Sequence, residues 1–194
     1  MEKKIILASK SPRRREILEN MGVDFIIDVA DADESVDGSL SPVEAVCEIS
    51  RRKARAVVPR HGGEDFIVIS ADTVVVINGK IIGKPKDEED AFNILKSLSG
   101  KTHEVYTGFT VTDGKDEKTD FEVTQVHFKE LDDDAVTRYI ATGECMDKAG
   151  AYGIQQKGNL FVEYIHGDYY NVVGFPISKI CVTVKELFGI NLLY

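Results

Sequence analysis

The stretch "IILASKSPRRREIL", residues 5–18, decides the fold, because it reads as a buried strand, a tight turn and the start of a helix. Ile5 to Ala8 is an apolar run of strand length. Ser11-Pro12 supplies a hydroxyl N-cap followed by proline at the first helical position. Arg13, Arg14 and Arg15 then fall in the first helical turn. A cation there opposes the helix dipole by about 0.3–1 kcal/mol when exposed. Sequences break such local rules where function compensates, and a bound anion would compensate here, because free N–H groups at a helix start and forked guanidiniums both suit phosphate oxygens.

Outward from this unit the chain keeps alternating strand and helix. Phe25 to Val29 reads as a second strand, an acidic loop "DADESVDGSLSP" follows, and a helix runs from about Pro42 to Val57. In "FIVISADTVVVINGKIIGKP", residues 66–85, the pattern predicts a buried strand, an interruption at Ala71-Asp72-Thr73, a second strand, and an Asn78-Gly79 hairpin turn into a third. A helix capped by Asp87 and stopped at Gly100, strands around Val105 to Thr112 and Phe121 to Phe128, a helix from Asp132 to Thr142 and a closing helix from Ile177 to Phe188 complete the reading. The mixture predicts an α/β domain with a mixed sheet, and 194 residues without repeats or linkers predict one domain over 1–194.

Composition narrows the function. Hydrophobic residues at 43% and charged residues at 29% suit a globular protein. Only four apolar residues follow the N-terminal MEKK before Ser9 and Lys10, and no run approaches the roughly 18 residues of a membrane span, so a cytoplasmic protein with no membrane partner is expected. A formal charge of −9 argues against a nucleic acid polymer as partner, while a small anion at a local basic island stays open. Cys47, Cys145 and Cys181 form no CxxC pair, and His61, His103, His127 and His166 show no metal-ligand spacing.

Four further positions could carry chemistry. Asp72 interrupts two strongly apolar runs, where a carboxylate needs a metal, a cation or hydrogen-bond donors; a turn or capping aspartate is the alternative. Glu34 lies in the acidic loop, and with Asp72 it would satisfy Mg²⁺ or Mn²⁺, which use one or two carboxylates plus substrate phosphates; a solvated loop is the plainer reading. Lys84 in "GKP" presents an ammonium between backbone-restricting neighbours. Lys53 in "RRKARA" reads by default as part of a solvated helix face. Successive helix residues diverge by about 100°, so Arg13 and Arg14 are the favoured phosphate ligands and Arg15 is expected in solvent.

Taken together, "LASKSPRRREIL", "SADTVV", "GKP" and "DKAGAYGIQQKG...GDYYNVVGFPIS" closely resemble the Maf family of nucleoside triphosphate pyrophosphatases, nearly end to end. The resemblance implies a fold like the Maf/inosine triphosphate pyrophosphatase group, a mixed β-sheet with flanking helices and two lobes around a cleft. It also implies metal-dependent cleavage of a nucleoside triphosphate to a monophosphate and pyrophosphate. It places the catalytic aspartate on Asp72, catalytic partners on Lys84 and Glu34, the metal on Glu34 and Asp72, and substrate contacts on Ser9, Arg13, Arg14, Lys53, Thr73 and Gln155. Arg13, Thr73 and Gln155 match the dTTP/UTP group, whereas the 7-methyl-GTP group resembles "SPWRR" and "SDQV". The family also implies a homodimer and an association with septum formation, so a non-catalytic nucleotide-binding regulator of division is the rival reading. Two departures, Cys145 where proline is commoner and Phe175 where leucine is, touch none of these residues.

Overall fold

The computed structural model describes residues 3–62 and 65–192. Seven strands form one mixed sheet: β1 (Lys4–Leu7), β2 (Phe25–Ile27), β3 (Phe66–Ile77), β4 (Lys80–Ile82), β5 (Thr102–Thr112), β6 (Glu117–Phe128) and β7 (Val162–His166). Their order is β2-β1-β3-β5-β6-β7, with β4 pairing β3 beside this path. β1 pairs in parallel with both β2 and β3, which is why it reads as an unbroken apolar run. β4 on β3 and β7 on β6 are antiparallel. Among the described residues six α-helices accompany the sheet: α1 (Pro12–Asn20), α2 (Pro42–Val57), α3 (Glu88–Leu98), α4 (Asp133–Ile140), α5 (Tyr169–Val173) and α6 (Ile177–Phe188). Among the described residues no helix is long and apolar enough to cross a membrane.

The helices begin where capping chemistry says they should. Ser41 and Glu44 form a reciprocal capping box at the start of α2, with Pro42 at the first position. Asp87 caps α3 by accepting the Asp90 N–H at 2.8 Å, and Asp132 caps α4 by accepting the Ala135 N–H at 2.7 Å. Ser11 departs from expectation: it stands at the N-cap of α1, yet its hydroxyl makes no cap. Its N–H instead donates to Ser9 Oγ at 3.2 Å, which folds the turn back on itself.

The expected interruption at residues 71–73 is also absent. β3 runs unbroken through Ala71, Asp72 and Thr73, because extended backbone tolerates a polar side chain that finds a partner on the adjoining face. The hairpin after it is as expected, with Asn78 and Gly79 at φ 51° and 73°, the pair of positive angles a tight two-residue turn requires. β5 and β6 reach further toward each other than the polarity of residues 113–120 implies. Asp113 Oδ1 accepts the N–H groups of Lys115 and Asp116 at 3.0 and 2.9 Å, so four residues suffice for the turn. Lys3 Nζ holds the same carboxylate through Oδ2 at 2.9 Å, and together these donors keep its pKa near 2. β7 and α5 carry no strong periodicity and were not legible in the glycine-punctuated stretch that holds them.

The chain divides into two compact units. The first holds residues up to Asp72, Thr107–Glu122 and everything from Gly174 on; the second holds Thr73–Tyr106 and Val123–Val173. In the first, Ile6 of β1, Ala8 just beyond it, and Phe66 and Val68 of β3 bury against Ala54 and Val57 of α2. In the second, Val75, Leu95, Leu98, Val126, Phe128, Tyr139 and Phe161 form the core.

That second core contains an ionisable ring. His103 is 1% exposed, packs edge-on to Phe128 and meets Tyr152 Oη through Nε2 at 2.8 Å. Burial drives its pKa from 6.5 down to about 4. The unfolded chain therefore takes up a proton that the folded chain refuses between these values, so stability falls as pH drops from 6.5 toward 4. Urea midpoints measured across that range should decline in the native protein, and the decline should shrink in a His103→Leu variant.

Candidate active site

Alternation along β3 aims the even-numbered side chains from Phe66 to Asp72 at α2. Phe66 and Val68 pack on Ala54 and Val57, Ser70 Oγ donates to the Ser50 carbonyl at 2.6 Å, and Asp72 Oδ1 accepts from Lys53 Nζ at 2.7 Å. Ser50, Lys53, Ala54 and Val57 are themselves one stripe of the helix, spaced i, i+3, i+4 and i+7. The stripe therefore delivers a lysine to the acid at its end. The default reading of Lys53 as solvated is wrong, since its side chain is only 15% exposed and that of Asp72 14%.

Lys53 Nζ also meets Glu34 Oε1 at 3.2 Å, and the Glu34 side chain is 61% exposed. One ammonium thus joins the two carboxylates that the chain separates by 38 positions. Both offer hard oxygens close together, and among the described residues no cluster of three or more His, Cys, Asp or Glu side chains could hold a metal. A divalent ion fits on those terms only if phosphate and water supply its other ligands, as Mg²⁺ commonly requires.

Arg14 lies beside this pair. It is buried, with Nε donating to the Gly174 carbonyl at 2.8 Å and Nη1 to Ala71 O at 2.7 Å and Ser9 Oγ at 3.1 Å. It therefore cross-links the start of α1, the end of the first unit's part of β3 and the segment before α6. Burial lowers its pKa to about 10, and Asp72 is the largest influence holding the charge on. Arg14 stays cationic at neutral pH. Arg13 is half-buried in the same helical turn, whereas Arg15 is exposed and pairs with Glu19 at 2.7 Å, as expected.

Thr73, Lys84 and Gln155 belong to the second unit. Thr73 is half-buried on β3; Lys84 and Gln155 are exposed. The backbones near the latter two are held together, since the Gly150 N–H donates to Gly83 O at 3.0 Å. Gly150 has φ 70°, and a Cβ on it would lie 2.8 Å from Val75 Cγ2, so only glycine suits that approach. Tyr139 Oη accepts the Gly153 N–H at 3.2 Å, and Tyr152 is anchored on His103. The segment ahead of Gln155 is thus braced from three sides. The "GDYYN" stretch proves to be scaffold: Asn171 Nδ2 donates to Val105 O and Thr124 Oγ1, and Thr124 Oγ1 in turn accepts the Asp168 N–H.

Two residues went unnoticed in the sequence. Gly174 gives the carbonyl that orients Arg14, and Arg52 grips the loop around Glu34. A glycine between apolar residues and one arginine in a basic helix give no local sign of either role.

Arg13, Arg14 and Lys53 stand with Glu34 and Asp72 in the first unit, in a chain whose formal charge is −9. The framework is α/β, and this cluster of basic and acidic side chains lies on it. The chain belongs to the Maf family, whose profile, described as "Maf-like protein", matches residues 4–187. A dTTP/UTP pyrophosphatase of Alkaliphilus oremlandii is 52% identical over 98% of this chain and 100% of its own length. One of Thermococcus kodakarensis is 54% identical over 94% and 96%, and one of Clostridium acetobutylicum 48% identical over 97% and 100%. Among solved structures, that of the Staphylococcus aureus Ham1 protein aligns at a TM-score of 0.46 and 15% identity, over 65% of this chain and 72% of that one.

Proposed function

We propose that this chain hydrolyses dTTP and UTP to the nucleoside monophosphate and pyrophosphate. The observation that carries the reading is the single ammonium of Lys53 gathering Asp72 and Glu34 beside the buried cation of Arg14. The names of relatives near 50% identity over almost the full length support the substrate class. So do Arg13, Thr73 and Gln155, the three positions that distinguish the dTTP/UTP group from the 7-methyl-GTP group.

Phosphoryl chemistry asks chiefly for positioning and neutralisation of charge. Arg13, Arg14 and Lys53, with the N-terminal amides of α1, offset the triphosphate's negative charge, and Lys84 is a further cation that the family resemblance assigns to the reaction. Ser9 shapes the turn, since its hydroxyl accepts from both the Ser11 N–H and Arg14. Asp72 accepts the proton of the attacking water as the new bond to the α-phosphorus forms, and the bridging oxygen leaves with pyrophosphate. Mg²⁺ or Mn²⁺, held by Glu34 and Asp72, would supply further charge neutralisation and acidify water at the site. Gln155 offers an amide donor and acceptor suited to a pyrimidine edge. The working form is read as a cytoplasmic homodimer acting on free nucleotides, with septum formation as the associated process.

A product assay decides the question. Purified protein is given UTP, dTTP, CTP, GTP and 7-methyl-GTP with Mg²⁺ or Mn²⁺, and monophosphate plus pyrophosphate is resolved from diphosphate plus orthophosphate. UTP and dTTP should yield pyrophosphate in a metal-dependent manner. Preference for 7-methyl-GTP would overturn the substrate reading. Orthophosphate as the product would overturn the bond assignment, and no cleavage at all would favour a nucleotide-binding regulator.

A further inference from the structure

Arg52 precedes Lys53 on α2, and neighbouring helix residues point about 100° apart, so the two side chains leave the helix in different directions. The Arg52 Nε donates to Glu48 Oε1 at 2.8 Å, one turn back along the helix. Its Nη1 donates to the Ser35 carbonyl at 2.7 Å and, more distantly, to the Asp33 carbonyl at 3.4 Å. These are the residues on either side of Glu34. Glu48 is itself gripped by Arg51 Nη1 at 2.7 Å, which leaves its carboxylate a fixed anchor for the Arg52 guanidinium.

The segment so held has little else to fix it. Asp28 and Val29 are held by Arg60, and Asp28 also by His61, but residues 31–37 form no helix or strand, and Glu34 is mostly exposed. Asp33 Oδ1 accepts the N–H and the hydroxyl of Ser35 at 2.8 and 2.6 Å, which shapes the turn locally but ties it to nothing outside the loop. Consecutive residues of α2 therefore hold Glu34 in two ways, Lys53 by its carboxylate and Arg52 by its flanking backbone.

We propose that Arg52 is a positioning residue that clamps the carbonyls of Asp33 and Ser35 and so keeps the Glu34 carboxylate at Lys53 and Asp72. The proposal rests on the reading of Glu34 as part of the pyrophosphatase site. Without the clamp, the loop must be ordered afresh at each turnover, and that ordering is charged against the reaction. A planar fork reaches two carbonyls and a carboxylate at once, so lysine is a poor replacement.

Two measurements test it. Amide hydrogen exchange across residues 31–37 should become about tenfold faster or more in Arg52→Ala, with α1 and β3 unchanged. The same variant should lose about tenfold in kcat/KM for UTP, Arg52→Lys should recover part of that loss, and Arg52→Ala should cost less than about twofold when added to Glu34→Gln. Unchanged exchange in the loop would overturn the clamp. A tenfold loss that persists in the Glu34→Gln background would show that Arg52 acts elsewhere, which also overturns it. Full activity in Glu34→Gln alone would sink the reading of Glu34 itself and the clamp's catalytic purpose with it.

Discussion

Asp72→Asn should lower kcat for UTP by about a hundredfold or more, the scale on which a positioned general base contributes. The amide nearly keeps the shape of the carboxylate, so Phe66, Val68 and Ser70 retain their seats against α2. What changes is charge. Lys53 loses its 2.7 Å counter-ion and faces either a neutral oxygen or the amide's own N–H donors. Arg14 loses the largest influence that opposes its desolvation. On the proposed mechanism, the water that attacks phosphorus then has no anionic acceptor. Turnover within about tenfold of the native rate, a loss of only ~1.4 kcal/mol, would remove Asp72 from the chemistry. A matched urea midpoint for the two proteins would assign a large loss to function rather than to folding.

Gly108→Val should produce the largest loss of stability. A Cβ at residue 108 on β5 would stand 2.5 Å from the Val46 carbonyl carbon, 2.6 Å from its oxygen and 2.7 Å from the Cys47 nitrogen. Those atoms are the backbone of α2, which cannot rotate aside as a side chain could. The helix must move off the sheet, at a cost of about 3 kcal/mol or more, which for a chain of this size corresponds to a fall in Tm of about 10 °C. Gly38→Ala, where a Cβ would meet nothing within 4 Å, should leave Tm nearly unchanged. Because α2 also carries Lys53, the variant that folds at low temperature should be slow as well as unstable. Equal melting of Gly108→Val and the native protein would show that the helix and β5 do not approach so closely.

Gly108 also illustrates where sequence reading stops. A glycine inside "VYTGFTV" breaks a strand pattern, and such a break can signal a close backbone approach, but nothing local says which element approaches. The local reading of Lys53 as solvated fails for a related reason, although the family resemblance places it at the site. Its stripe with Ser50, Ala54 and Val57 was present in the sequence, yet a basic residue among "RRKARA" looks solvated until the carboxylate that receives it is known. The interruption expected at Ala71-Asp72-Thr73 followed from the same gap: a polar residue in an apolar strand reads as a break when its partner, 19 residues away, is unseen.

The elements with strong local chemistry were readable from the chain alone. Pro12 and Pro42 mark helix starts, Asp87 and Asp132 cap helices, and Asn78-Gly79 turns a hairpin, because capping and turn preferences act over a few residues of backbone. The conflict of three arginines with a helix dipole was also local, and it is the sign on which the proposed anion site rests. The partners of those groups needed the folded chain. Arg14 spends its donors on Ala71 and Gly174, which are 57 and 160 residues away, and Lys53 joins an acid on a strand to an acid in a loop. Hydrogen bonds and ion pairs are satisfied wherever three-dimensional packing brings donor to acceptor, and sheet register and helix packing set those distances while spacing along the chain does not.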